Sequence, residues 1–142
     1  MKRYFIDSNI LIFYMSEDDD DISAEVQDIL SNHNNLISIP SRCVEEVIHL
    51  QQSGKIRIKQ WKSAEDIVDF ITDELNFGIK HTGNEHLRTL AKLPLFPDHK
   101  DPIDRIAIAQ AITEKTGIIS SDTKFHYYKK YGLDLVFNKR GR

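Results

Sequence analysis

The chain has 142 residues, of which 40% are hydrophobic and 29% are charged, and its formal net charge is −3. This composition is typical of a folded protein and excludes a disordered chain, and the length predicts one domain over residues 1–142. No apolar stretch approaches the roughly 18 residues of a membrane span, and the first residues lack the apolar region of a signal peptide. Because the single cysteine, Cys43, cannot form an internal disulfide, we expect a cytoplasmic protein with no membrane contact.

Short runs of β-branched and aromatic residues predict five strands, at residues 3–7, 36–40, 77–81, 117–122 and 133–137. Helical periodicity and capping residues predict helices between them, at 8–16, 22–32, 41–54, 63–75, 83–93, 102–115 and 123–132. An acidic run at 18–21 is interpreted as a solvated turn. Because strands and helices alternate, we predict an α/β fold with a parallel sheet and helices on both faces.

Two aspartates follow predicted strands. Asp7 ends the first strand, and Asp122 ends the fourth. In an open parallel sheet, ligands bind beyond the carboxyl ends of the strands, but either aspartate could simply cap the next helix. Ser8 and Asn9, which are both good caps, follow Asp7 directly, so we expect Asp7 to be free for another role.

The predicted helix at 41–54 carries two adjacent glutamates. With residues placed about 100° apart, Glu46 lies on the flank of the apolar face and Glu45 points more nearly toward solvent. A glutamate at the border of the core can reach a cleft at the sheet edge. We therefore favour Glu46 as a site residue, and Glu45 remains the alternative.

The stretch HKDPIDRIAIAQA, residues 99–111, contains two further aspartates. Proline is favoured at the first position of a helix, so Pro102 predicts that Asp101 is the N-cap and that Asp104 is the third helical residue. Asp101 can then accept the Asp104 backbone N–H. The helix dipole favours an acid at Asp104 by only about 0.3–1 kcal/mol. We interpret Asp101 as a cap and Asp104 as a candidate ligand.

Four acids are thus candidates for one shared site: Asp7, Glu46, Asp104 and Asp122. Like charges that close cannot all ionise without a compensating cation. All-oxygen ligation suits Mg²⁺ or Mn²⁺, which can activate water and offset charge on a phosphate. Short polar side chains that could orient the carboxylates or water lie beside them, namely Ser8, Asn9, Ser120 and Ser121.

The same segments resemble those of PIN-domain ribonucleases in order and spacing, and the likeness is nearest to VapC toxins of toxin–antitoxin pairs. It rests on YFIDSNILI, the Glu46 helix ending in SGKI, LPLFPDHKDPIDRIAIAQA and IISSDTKFHYY. The pattern departs from many relatives at Ser8-Asn9, where Thr-His or Thr-Asn is common, and at Leu50, where a lysine is common.

This resemblance implies a three-layer α/β/α sandwich and a Mg²⁺- or Mn²⁺-dependent endoribonuclease that cuts RNA with metal-activated water. The acidic centre would map onto the four acids above, and the Gly-Lys eight residues after the family's glutamate selects Glu46, because Gly54 follows at that spacing. Family members usually form homodimers and are inhibited by a cognate antitoxin, so both partners are expected here.

Two alternatives stay open: a DNA-directed nuclease of the same fold, and a non-catalytic PIN module that only binds a partner.

We interpret His99 and His126 as surface residues, and Trp61 and Phe77 as core or interface aromatics rather than base-stacking platforms. Arg105 could contact phosphate or pair with an acid. A last group of basic residues could line RNA or form a solvated face, namely Lys124, Lys129 and Lys130.

Overall fold

The computed structural model describes residues 1–16 and 20–141. In these residues a five-stranded sheet has the order β3-β2-β1-β4-β5, and every neighbouring pair is parallel. Its strands are β1 (Arg3–Ile6), β2 (Leu36–Pro40), β3 (Gly78–Lys80), β4 (Gly117–Ser120) and β5 (Leu135–Phe137). The predicted parallel sheet is confirmed.

Helices fill the connections between the strands. They are α1 (Ser8–Met15), α2 (Ala24–Ser31), α3 (Ser41–Gln52), α4 (Asp66–Asp69), α5 (Asn84–Lys92) and α6 (Pro102–Glu114), with a π-helical turn (Phe70–Glu74) after α4 and a 3₁₀ helix (Thr123–Tyr131) after β4. From β1 to β3 the chain moves one way across the sheet, and from β3 to β5 it moves the other way. Right-handed crossovers therefore place helices on opposite faces, which is the predicted α/β/α sandwich.

The core lies around the two central strands. Phe5 and Ile6 of β1 and Ile118 and Ile119 of β4 are all buried. Both strands are covered on both faces, which explains why their sequences are continuous apolar runs rather than alternating ones. Trp61 and Phe77 are buried as well, at 3% and 6% exposure, so both are core aromatics. The site described below therefore lies at the ends of the most deeply buried strands of the sheet.

Three local details differ from the sequence prediction. β4 ends at Ser120, so Asp122 lies two residues beyond the strand rather than at its last position. The predicted helix at 63–75 is a short α4 that widens into the π-helical turn. The helix after Asp122 has 3₁₀ rather than α geometry. No helix in the described ranges is long and apolar enough to cross a membrane.

The acidic run at 18–21 falls partly outside the described residues, since these do not include Asp18 and Asp19. Asp20 is exposed in a turn. The Asp21 carboxylate pairs with the guanidinium of Arg140 at 2.8 Å. An acidic and a basic segment that are far apart in the sequence therefore meet on this side of the molecule.

Candidate active site

Asp7 and Asp122 lie at the point where the sheet reverses its direction of growth. β1 and β4 are neighbours, and the chain leaves them toward opposite edges of the sheet. Such a switch point opens a crevice beyond the carboxyl ends of the two strands, which is where open α/β sheets bind ligands. Asp7 directly follows β1, and Asp122 follows β4 after one intervening residue.

The Asp7 carboxylate is buried and makes two hydrogen bonds. Oδ1 accepts the backbone N–H of Ile10 at 3.0 Å, and Oδ2 accepts the Ser120 hydroxyl at 2.6 Å. Asp7 is thus the N-cap of α1, so the expectation that Ser8 or Asn9 would replace it as the cap is wrong. The pKa of Asp7 is raised to about 6, because burial, together with the charges of Asp122 and Glu46, outweighs the two hydrogen bonds, which lower it.

Asp101 and Asp104 begin α6 as predicted. Asp101 Oδ1 accepts the backbone N–H groups of Ile103 at 2.8 Å and Asp104 at 3.3 Å, and Pro102 is the first helical residue. The Asp104 side chain is 26% exposed. The pKa of Asp104 is raised to about 8, chiefly by burial and then by the charges of nearby acids, Asp101 first and Asp7 second. Asp101 is therefore the cap, and Asp104 faces the other acids.

The Asp122 carboxylate divides its two oxygens. Oδ1 accepts the backbone N–H of Lys124 at 2.9 Å and so caps the 3₁₀ helix. Oδ2 lies 3.9 Å from the His99 imidazole Nε2. The backbone N–H of Asp122 donates to the Ser120 hydroxyl at 3.1 Å, so this one serine links Asp122 to Asp7.

The two adjacent glutamates have different surroundings. Glu46 is half-buried, and its charge raises the pKa of both Asp7 and Asp104. Glu45 is exposed and pairs with Arg42 at 3.4 Å. The structure therefore brings Glu46, and not Glu45, toward the aspartates.

His99 is buried, so the expectation of a surface residue is wrong for it, whereas His126 is exposed. The His99 imidazole packs edge-on against the rings of Phe125 and Tyr128, and Nδ1 lies 2.7 Å from the Tyr128 hydroxyl. Nε2 lies 3.4 Å from Asp104 Oδ2. Burial lowers the pKa of His99, which favours a neutral ring.

The basic residues near this crevice have other contacts. Arg105 donates to the backbone carbonyls of Leu93 and Pro94, both at 3.3 Å, so its guanidinium holds the loop before α6. Lys124 donates to the Asp98 carbonyl at 2.6 Å. Lys129 and Lys130 are exposed on the 3₁₀ helix.

Of the four residues predicted to orient the carboxylates, Ser120 donates a hydrogen bond to Asp7. The Ser8 and Ser121 hydroxyls make hydrogen bonds elsewhere, and Asn9 is exposed.

The donor set of this crevice fits a divalent cation. One atom each from His99, Asp104 and Asp122 lie within 4.8 Å of one another. Asp7 and Glu46 act electrostatically on the same site. Burial is the main reason why the pKa values of Asp7 and Asp104 are raised, and the charges of neighbouring acids add to both shifts. A bound divalent cation would offset that repulsion.

The sequence also matches a family. A family model described as PIN domain matches residues 4–131, and the chain belongs to the PIN-domain family. PIN-domain nucleases are hydrolases that act on nucleic acids. No curated protein sequence matches the chain at a significant level.

Three solved structures with similar folds are described as VapBC structures. VapBC2 from Rickettsia felis, bound to a promoter DNA fragment, has a TM-score of 0.66 at 16% identity and covers 96% of this chain and 98% of its own. VapBC-1 from nontypeable Haemophilus influenzae gives 0.64 at 14%, covering 95% and 97%. DNA-bound VapBC from Salmonella typhimurium gives 0.65 at 11%, covering 96% and 98%. At these identities the likeness is one of fold.

Proposed function

We propose that this chain is a metal-dependent endoribonuclease of the VapC type, the toxin of a toxin–antitoxin pair. The observation that carries the proposal is the group of acids at the switch point of the sheet, in a chain of the PIN-domain family. The fold shared with VapBC complexes supports the toxin assignment. The same likeness supports a cognate antitoxin as a partner, and the proposal includes a homodimer.

In this proposal Asp7, Asp104 and Asp122 hold Mg²⁺ or Mn²⁺, and Glu46 is a further ligand or orients the attacking water. When bound, the ion would lower the pKa of a water molecule and offset the charge that builds on the phosphate. Ser120 fixes the orientation of Asp7 through its 2.6 Å hydrogen bond.

Electrostatics explain why the acids need such an ion to act on RNA. A phosphodiester is an anion, and a crevice lined with ionised carboxylates repels it. The acids reduce this repulsion either by binding protons, as the raised pKa values of Asp7 and Asp104 indicate, or by binding a cation. Only the second state keeps the carboxylates ionised and would also place a positive charge beside the phosphate.

The substitution Asp104→Asn tests the proposal. It keeps the size and polarity of the side chain but removes its charge, so we expect Mn²⁺-dependent RNA cleavage to fall by at least about 100-fold. Asp101→Asn is the matched control, because asparagine also caps helices, and it should retain cleavage. Cleavage is measured on labelled RNA, and circular dichroism verifies the fold of both variants.

Undiminished cleavage by Asp104→Asn would contradict this site assignment. Equal or faster cleavage of a DNA strand of the same sequence would favour the DNA-directed nuclease instead. Calorimetric titration with Mn²⁺ tests the remaining alternative, because the absence of divalent-ion binding would favour a non-catalytic partner-binding module.

A further inference from the structure

His99 has a buried ring nitrogen with no hydrogen-bond partner. Its side chain is 3% exposed, and within the described residues Nε2 makes no hydrogen bond. An unpaired polar atom in the protein interior lowers the stability of the folded state. Nε2 also faces the oxygens of Asp104 and Asp122, so this unpaired atom belongs to the crevice.

The distances from Nε2 to the two carboxylates indicate the kind of contact. They are 3.4 Å to Asp104 Oδ2 and 3.9 Å to Asp122 Oδ2, both longer than the usual N–H···O bond. Atoms that bind one ion at about 2.1 Å stand about 3 Å apart when adjacent and about 4.2 Å apart when opposite. Both distances from Nε2 therefore fall within the range found for two ligands of one ion, and the three ligand atoms lie within 4.8 Å of one another.

The other ring nitrogen of His99 is already engaged. Nδ1 lies 2.7 Å from the hydroxyl of Tyr128, which is fully buried. When Nδ1 carries the hydrogen and donates it to this hydroxyl, Nε2 has a free electron pair. Histidine ligands typically use their second nitrogen in this way, since the bond fixes both the tautomer and the ring orientation.

We propose that His99 Nε2 is a nitrogen ligand in the same metal site as Asp104 and Asp122. The inference rests on the proposed function for the two aspartates and adds the class of ion. Imidazole suits first-row transition ions, whereas Mg²⁺ prefers oxygen ligands alone. The mixed site therefore prefers Mn²⁺ to Mg²⁺, and His99 is the residue that determines this preference.

The substitution His99→Asn tests the proposal while it preserves the surroundings. The asparagine amide can take the place of Nδ1 and bond Tyr128, but it has no atom at the position of Nε2. His126→Asn is the matched control, because His126 is exposed. Mn²⁺ and Mg²⁺ affinities of the metal-free chains are measured by calorimetry. Electron spin-echo spectroscopy of bound Mn²⁺ detects a coordinated nitrogen directly. His99→Gln is a second variant. Thermal unfolding of all the variants in chelator verifies that they fold.

We expect the Mn²⁺ spin echo to be modulated by a coordinated nitrogen in the unaltered chain and in His126→Asn. This nitrogen modulation should be lost in His99→Asn and His99→Gln. Mn²⁺ affinity should fall by about 10- to 100-fold in the His99 variants, and Mg²⁺ affinity by less than about 3-fold. Mn²⁺ binding without nitrogen modulation in the unaltered chain would overturn the role of His99 alone. Equal losses for both ions would overturn the selectivity. If the unaltered chain binds no divalent ion, both this inference and the proposed function fail.

Discussion

At the scale of single residues, the aspartates of the crevice combine two roles that are alternatives when only the sequence is known, namely capping a helix and contributing to the site. Asp7 caps α1 with Oδ1 while Oδ2 accepts the Ser120 hydroxyl. Asp122 caps the 3₁₀ helix with Oδ1 while Oδ2 points toward His99. A carboxylate has two oxygens and about four acceptor positions, so capping with one oxygen leaves the other available. The cap also holds the side chain in a fixed orientation.

Ser120 connects two of these aspartates and gives a prediction about stability. Its buried hydroxyl donates to Asp7 Oδ2 and accepts from the Asp122 backbone N–H. Ser120→Ala leaves a buried carboxylate oxygen and a backbone N–H without this partner, so the free energy of unfolding should fall by about 1–3 kcal/mol. Urea denaturation in chelator measures the change.

Ser53→Ala is the control for this prediction, because Ser53 is exposed and its hydroxyl bonds only to the Leu50 carbonyl in the described residues. Its free energy of unfolding should change by less than about 0.5 kcal/mol. If Ser120→Ala were no more destabilising than Ser53→Ala, the link between Asp7 and Asp122 would carry no stability.

At the scale of elements, the start of α6 determines where Asp104 lies. Asp101 caps the helix and Pro102 fixes its first residue. Asp101→Ala removes the cap and should lower the free energy of unfolding by about 0.5–2 kcal/mol, whereas Asp101→Asn keeps it. Both substitutions remove the negative charge beside Asp104, so urea denaturation of the two variants isolates the cap. Equal stabilities would show that Asp101 does not act as one.

The elements also show which features the sequence could predict. The start of α6 and the bounds of β2 follow from short-range chemistry, through Asp101, Pro102 and Pro40, and both were predicted. The burial of His99 was missed because it depends on Phe125 and Tyr128, which the fold brings from the 3₁₀ helix. The aspartate cap at Asp7 was missed because Ser8 and Asn9 are equally good caps locally, and only the fold shows which residue is used.

At the scale of the whole molecule, the sheet order brings together acids from four separate parts of the chain. Asp7 follows β1, Glu46 lies on α3, and Asp104 lies in the first turn of α6. Asp122 follows the neighbour of β1 in the sheet. Burial and mutual repulsion then act on the same carboxylates, because the fold brings their negative charges to one edge of the sheet. The metal-free protein should therefore be less stable than the protein with a bound cation.

The pH dependence of unfolding tests whether these buried carboxylates destabilise the metal-free protein. The pKa of Asp104 is raised from 3.8 to about 8, so the folded chain binds its proton more tightly than the unfolded chain, and the free energy of unfolding falls as pH rises through this range. Below pH 6.5 the lowered pKa of His99 has the opposite effect, because there the unfolded chain binds more protons. Asp7, whose pKa is about 6, also lowers stability as pH rises, but mainly below pH 6. Between pH 6.5 and 8 the effect of Asp104 should therefore dominate.

In chelator, the urea midpoint of the unaltered chain should be lower at pH 8 than at pH 6.5. Asp104→Asn should reduce this difference, because the asparagine has no proton to lose. An ion that binds only the folded state adds its binding free energy to stability. Mn²⁺ should therefore stabilise the unaltered chain more at pH 8 than at pH 6.5, since protons no longer compete for the carboxylate. Asp101→Asn, which lacks a charge at the neighbouring cap, should still show the fall. A difference between the two pH values that is as large in Asp104→Asn as in the unaltered chain would mean that another group causes it, and that Asp104 is not protonated in the metal-free fold.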